Sequence, residues 1–121
     1  MNYGFVKIAA AIPSVQVADC FYNMRQIEGL MRQAAAKEVQ IIAFPELAIT
    51  AYTCMDLFLQ ETLLRNAEKA LLELVGKTAD LDMMAIVGCP LRSGDQLINA
   101  AVAFQRGEIL GVVPKSYLPN Y

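Results

Sequence analysis

Val39-Gln40-Ile41-Ile42-Ala43-Phe44-Pro45-Glu46 is a short apolar run, stopped by proline and followed at once by a carboxylate. Such a run reads as a buried strand over Val39 to Phe44, because proline has no N–H for the next ladder bond. The sequence on either side has a different period. Upstream, Phe21, Met24, Ile27, Met31 and Ala34 recur at helical spacing, with Arg25, Glu28, Arg32 and Gln33 on the polar face. Asp19 supplies the N-cap of that helix, and Glu28 and Arg32 form an i,i+4 pair in the favourable order. Downstream, Leu63, Leu64, Ala67, Leu71 and Leu74 make the apolar stripe of a second helix over Glu61 to Ala79, whose last turn Gly76 weakens. A strand set between two helices is the repeating unit of a parallel α/β sheet.

The remaining segments extend that unit. Phe5 to Ile12 reads as a buried strand ended by Pro13, and Met83 to Val87 as another. After the polar loop Arg92-Ser93-Gly94-Asp95, Leu97 to Phe104 and Ile109 to Val113 form a hairpin around Gln105-Arg106-Gly107-Glu108. The predicted order is β-α-β-α-β-β-β, with parallel pairs first and antiparallel pairs later in one mixed sheet. There is no repeat, low-complexity tract or linker. The chain stops at Tyr121, just past Pro119-Asn120, in what reads as mid-loop, so the expectation is that residues 1–121 are one portion of a longer domain.

Composition narrows the function classes. Hydrophobic residues make up 56% of the 121 residues, above the ~45–50% of typical soluble domains, even though glycine is counted in that figure and not in this one. A small domain should be more polar than average. The excess reads either as an Ala- and Leu-rich core or as a face covered by further chain or a partner. Net charge is −2 with mixed signs, which argues against a nucleic-acid groove or an anionic membrane as main partner. Ile8 to Ile12 is too short for a signal segment or a membrane span. Three scattered cysteines without a CxxC pair fit reduced thiols and a cytoplasmic location. The chain has no histidine, so Ser-His-Asp and Cys-His pairs and His-ligated zinc are excluded within it. Acid–base chemistry here falls to Asp, Glu, Lys, Tyr or Cys.

Two places carry a candidate charge. In Ala43-Phe44-Pro45-Glu46 and in Val113-Pro114-Lys115, an apolar strand runs into proline and then into one ionisable residue. Proline fixes the turn, so the side chain is aimed, and ligands in open α/β sheets bind beyond the carboxyl ends of strands. Glu46 is followed by the uncharged Leu47-Ala48-Ile49-Thr50-Ala51-Tyr52, so a raised pKa and a general-base role are expected. Lys115 suits an oxyanion or a nearby thiolate. Each also reads as an ordinary group, Glu46 as a cap or loop carboxylate and Lys115 as a solvated lysine.

Together, Phe44-Pro45-Glu46-Leu47 and Pro114-Lys115-Ser116-Tyr117-Leu118-Pro119-Asn120-Tyr121 resemble the nitrilase superfamily of carbon–nitrogen hydrolases. Ala48-Ile49-Thr50-Ala51-Tyr52 and the Leu-Pro-Asn-Tyr ending look most like the branch that forms the glutaminase domain of glutamine-dependent NAD synthetases. The resemblance implies an αββα sandwich, of which this chain is the N-terminal half, and a Glu-Lys-Cys triad. On that pattern Glu46 is the base, Lys115 the stabilising cation, and Tyr52 and Tyr121 lie near the substrate pocket, although both also read as packing or turn tyrosines. Glutamine is the implied substrate of the complete domain. ATP, Mg²⁺ and deamido-NAD are implied for a synthetase domain outside this chain. No Gly-rich phosphate loop occurs here, and no cofactor or metal is assigned to the chain. The superfamily pattern also implies a homo-oligomer.

One member of the triad is not where the pattern puts it. The family's nucleophilic cysteine follows the lysine, whereas Cys20, Cys54 and Cys89 all precede Lys115. Each reads better as a small packed thiol. The expectation is that the chain alone releases no ammonia from glutamine. Two further readings fit the residues: part of a free-standing nitrilase-like amidase or N-carbamoyl hydrolase, or a non-catalytic α/β module that binds a partner through its apolar surface.

Overall fold

The computed structural model describes residues 4–51, 61–94 and 96–115. Tyr52, Cys54, Asp95 and Tyr121 lie outside the described residues. The element order is β1 (Ile8–Ala10), α1 (Cys20–Ala36), β2 (Ile41–Ala43), α2 (Glu61–Lys77), β3 (Met84–Ser93), β4 (Gln96–Gln105) and β5 (Glu108–Pro114). This is the predicted order. The five strands form one sheet in sequence order, parallel from β1 to β3 and antiparallel from β3 to β5.

Both helices form where the apolar period predicts. The Asp19 carboxylate accepts the Tyr22 N–H and caps α1. Met24, Ile27, Met31 and Ala34 of α1 are buried, as are Leu63, Leu64, Ala67, Leu71 and Leu74 of α2. Both stripes face one side of the sheet. There they join Ile42, Ala85, Val87, Cys89, Ala100, Val102 and Phe104 in a single core. Arg32 bonds Glu28 at 3.2 Å within α1, and also reaches the Lys77 carbonyl at the end of α2 and Asp80 just beyond it. One guanidinium thus ties the two helices together at the surface.

Element bounds differ from the sequence reading, and β2 is shorter than Val39 to Phe44, at Ile41–Ala43. The first strand is three residues long rather than Phe5 to Ile12, and it is not buried: Ile8 is 70% exposed. It is an edge strand with β2 as its neighbour, so apolar composition did not translate into burial. The third strand runs on well past Val87. Arg92 and Ser93 belong to it, and the reversal comes at Gly94, whose φ is +61°. Pro90 sits within this strand without breaking it. It pairs with Asn99, whose carbonyl turns away to Lys115, so Pro90 occupies a position where no ladder N–H toward β4 is needed. The second helix ends at Lys77 rather than Ala79. The β4–β5 hairpin turns through Arg106 and Gly107, both at positive φ, between the paired Gln105 and Glu108. That is the two-residue geometry that matches strand twist.

Among the described residues, the other face of the sheet has no helices. Register places Ile86 opposite Ala103, Gly88 opposite Ala101, and Ala101 opposite Val113 there. Val113 is 66% exposed. This is one α-layer and one β-layer, the N-terminal portion of an αββα sandwich. Among the described residues no helix is long and apolar enough to cross a membrane.

Candidate active site

The direction of the strands brings Glu46 and Lys115 together. β2 and β5 point the same way, because two antiparallel steps separate β3 from β5. Both therefore deliver the residue after their terminal proline to the same edge. Lys115 Nζ donates to Glu46 Oε1 at 2.7 Å across 69 positions of sequence. The Glu46 side chain is 35% exposed and that of Lys115 42%. They stand at one end of an open cleft of about 410 Å³, lined also by Phe44, Ile86, Asn99 and Val113.

Two residues that the sequence reading passed over build this geometry. Gly88 on β3 lies under the Pro45-Glu46-Leu47 backbone. A Cβ there would stand 2.2 Å from the Leu47 nitrogen and 2.8 Å from the Pro45 oxygen. Only glycine permits that approach. The Ile49 N–H then bonds the Gly88 carbonyl at 3.2 Å. Asn99 on β4 is the second. Its Nδ2 donates to Glu46 Oε1, and its main-chain carbonyl accepts the Lys115 N–H at 2.8 Å. A polar residue in the apolar run from Leu97 to Phe104 was the signal available for it.

The chain beyond Glu46 is held from behind. Leu47 takes φ +55° and Ala51 φ +70°, a left-handed conformation that costs roughly 1–2 kcal/mol in a non-glycine residue. Buried Asn23 of α1 opposes that strain. Its Nδ2 donates to the Ile49 and Gln16 carbonyls, both at 2.9 Å, and its Oδ1 accepts the Gln16 N–H at 2.7 Å.

The electrostatics correct the expected pKa of Glu46. It is lowered, not raised. The Lys115 hydrogen bond is the largest cause; burial pulls upward, and Asn99 and the Lys115 charge add to the lowering. The apolar sequence after Glu46 gave no view of a cation arriving from β5. At neutral pH Glu46 is therefore a carboxylate.

The described cysteines do not join this site. Cys89 is fully buried on the helix-facing side of β3, against the Ala67 carbonyl of α2. Burial pushes its thiol well above the ordinary range. Cys20 is buried at the start of α1. Cys54, Tyr52 and Tyr121 fall outside the described residues. Among the described residues no group of three or more His, Cys, Asp or Glu side chains is placed to hold a metal.

Comparison with known proteins agrees with this architecture. Residues 7–120 match the carbon-nitrogen hydrolase family. The chain is 40% identical over 120 residues to the glutamine-dependent NAD(+) synthetase of Mycobacterium tuberculosis H37Rv, covering 99% of this chain and 18% of that protein. It therefore spans about a fifth of the length of such relatives. The crystal structure of a glutamine-dependent NAD(+) synthetase from Cytophaga hutchinsonii superposes with a TM-score of 0.88 at 27% identity, over 95% of this chain and 20% of that one. The NitN amidase from a Nesterenkonia species shares the fold, with a TM-score of 0.85 at 20% identity over 97% of this chain and 46% of that one. With its match from residue 7 to residue 120, this chain belongs to the carbon–nitrogen hydrolase family, the nitrilase superfamily.

Proposed function

We propose that residues 1–121 are the N-terminal portion of the glutamine-hydrolysing domain of a cytoplasmic, homo-oligomeric NAD synthetase, and that Glu46 and Lys115 are two members of its Glu-Lys-Cys triad. The observation that carries the reading is the 2.7 Å contact between Lys115 and Glu46 at the carboxyl edge of the sheet. The similarity to NAD synthetases supports glutamine as the amide. In this reading a cysteine thiol from later in the longer protein attacks the side-chain amide carbon of glutamine. Glu46 takes the thiol proton and passes it to the leaving nitrogen, and Lys115 faces the negative charge on the tetrahedral oxygen. Ammonia leaves and a thioester remains. Water adds with Glu46 as base, the C–S bond breaks, and glutamate and the thiol are released. Tyr52 and Tyr121 serve the glutamine pocket. ATP, Mg²⁺ and deamido-NAD bind in the synthetase domain, outside this chain, where the ammonia is consumed.

The test is a substrate panel on the longer protein. Glutamine should yield ammonia and, with ATP, Mg²⁺ and deamido-NAD, an amidated product. Aliphatic amides and N-carbamoyl amines should react at least about 100-fold more slowly, because sites built to bind substrate polar groups reject analogues lacking them. Preferential turnover of a simple amide or N-carbamoyl compound, with no nucleotide-dependent product, overturns it in favour of a free-standing hydrolase.

A further inference from the structure

Asn99 stands apart from the other buried polar residues. Of Asn23, Thr50, Thr78 and Asn99, it alone among the described residues lies in the sheet. It is 7% exposed and sits on the face away from the helices, between the strand ends that carry Glu46 and Lys115. Its position is fixed on both sides, by pairing with Pro90 on β3 and by accepting the Lys115 N–H from β5. Its side chain then donates to Glu46 Oε1, the same oxygen that Lys115 Nζ holds at 2.7 Å. Among the described residues no hydrogen bond is made to Oε2. The amide must present its nitrogen, since its oxygen would meet the carboxylate with like charge.

An ion pair between two flexible, partly exposed side chains does not fix the orientation of a carboxylate. A buried amide on a strand does. We infer that Asn99 is the positioning residue of the site: it clamps Oε1 of Glu46 beside Lys115, so that Oε2 is the oxygen that receives and returns the proton. The inference rests on the base role proposed for Glu46. Lys115 is the charged group that faces this carboxylate among the described residues. Loss of Asn99 thus leaves the charge in place and removes the aim.

The experiment is a pH–rate profile of ammonia release from glutamine by the longer protein, with Asn99→Leu, Asn99→Asp and Glu46→Gln. Asn99→Leu keeps the volume and removes the donor; Asn99→Asp keeps the shape and replaces the donor with an acceptor. Both should lower kcat by about 10- to 100-fold, the effect expected of a misplaced catalytic group, with KM for glutamine little changed. Both should also move the acid limb of kcat/KM to higher pH, since a donor that favours the carboxylate is gone. If Asn99→Leu fails to fold, the isosteric Asp variant decides. A folded variant with wild-type kcat and an unmoved acid limb overturns the positioning role. Glu46→Gln separates the two claims. If it abolishes ammonia release while the Asn99 variants do not, the Asn99 role alone fails. If Glu46→Gln itself retains full activity, the base reading fails and the Asn99 role with it.

Discussion

Around Glu46, each neighbour does one job, and the jobs differ in how visible they are in sequence. Lys115 supplies charge, Asn99 direction, and Gly88 room. Glu46 and Lys115 were legible because each follows a strand and a proline. Gly88 was not, because a glycine in an apolar strand has many explanations until the crossing backbone is seen. Its role gives a sharp prediction. Gly88→Ala puts a methyl 2.2 Å from a backbone nitrogen, a clash that no side-chain rotation relieves. Overpacking costs typically 1–3 kcal/mol when side chains can adjust, so about 3 kcal/mol or more is expected here. It is read as a lower urea midpoint at unchanged slope. A change within about 0.5 kcal/mol would show that the Pro45-Glu46-Leu47 segment does not rest on Gly88. The error about Glu46 has the same origin as the silence about Gly88. Local sequence reports the neighbours along the chain, and the group that sets the carboxylate's pKa lies 69 positions away.

Among the elements, helices were read better than strands. Both amphipathic stripes and the Asp19 cap lie where the period put them, since 17 residues of helix offer several turns of pattern. Strands offer less. β1 and β2 hold three paired residues each, and an apolar run of that length carries no record of which side of the sheet it will occupy. The apolar run Met83 to Val87 marks only the first half of β3, and the polar Arg92-Ser93 pair reads as loop although it belongs to the strand. The strand continues because Pro90 falls at a site where its missing N–H is not required. The positive-φ Leu47 and Ala51 were also hidden. Neither residue type advertises a left-handed turn, and the strain is tolerated because Asn23 and the Gly88 carbonyl hold the segment between them.

For the molecule as a whole, the apolar excess has a location. The helices satisfy one face of the sheet, and the other presents Ile8, Ile86, Ala101 and Val113 without a second layer among the described residues. β5 adds Ile109, Leu110 and Val112, all exposed, along the sheet's edge. Unpaired edges and apolar faces of this kind drive association. The 121-residue chain by itself is therefore expected to be oligomeric or aggregation-prone in light scattering, with weak thermal cooperativity. A monodisperse monomer with one sharp transition would contradict that account. The same face carries the edge where Glu46 and Lys115 meet, so the apolar surface and the candidate site lie on one side of the sheet. On the function proposed above, Glu46 is the proton acceptor for glutamine hydrolysis. The most direct measurement compares glutamine and ammonium as nitrogen donors in the longer protein carrying Glu46→Gln. The prediction is loss of glutamine-driven product by at least about 100-fold, the lower range for a general base, with ammonium-driven product retained. Equal activity with both donors in the variant would contradict it.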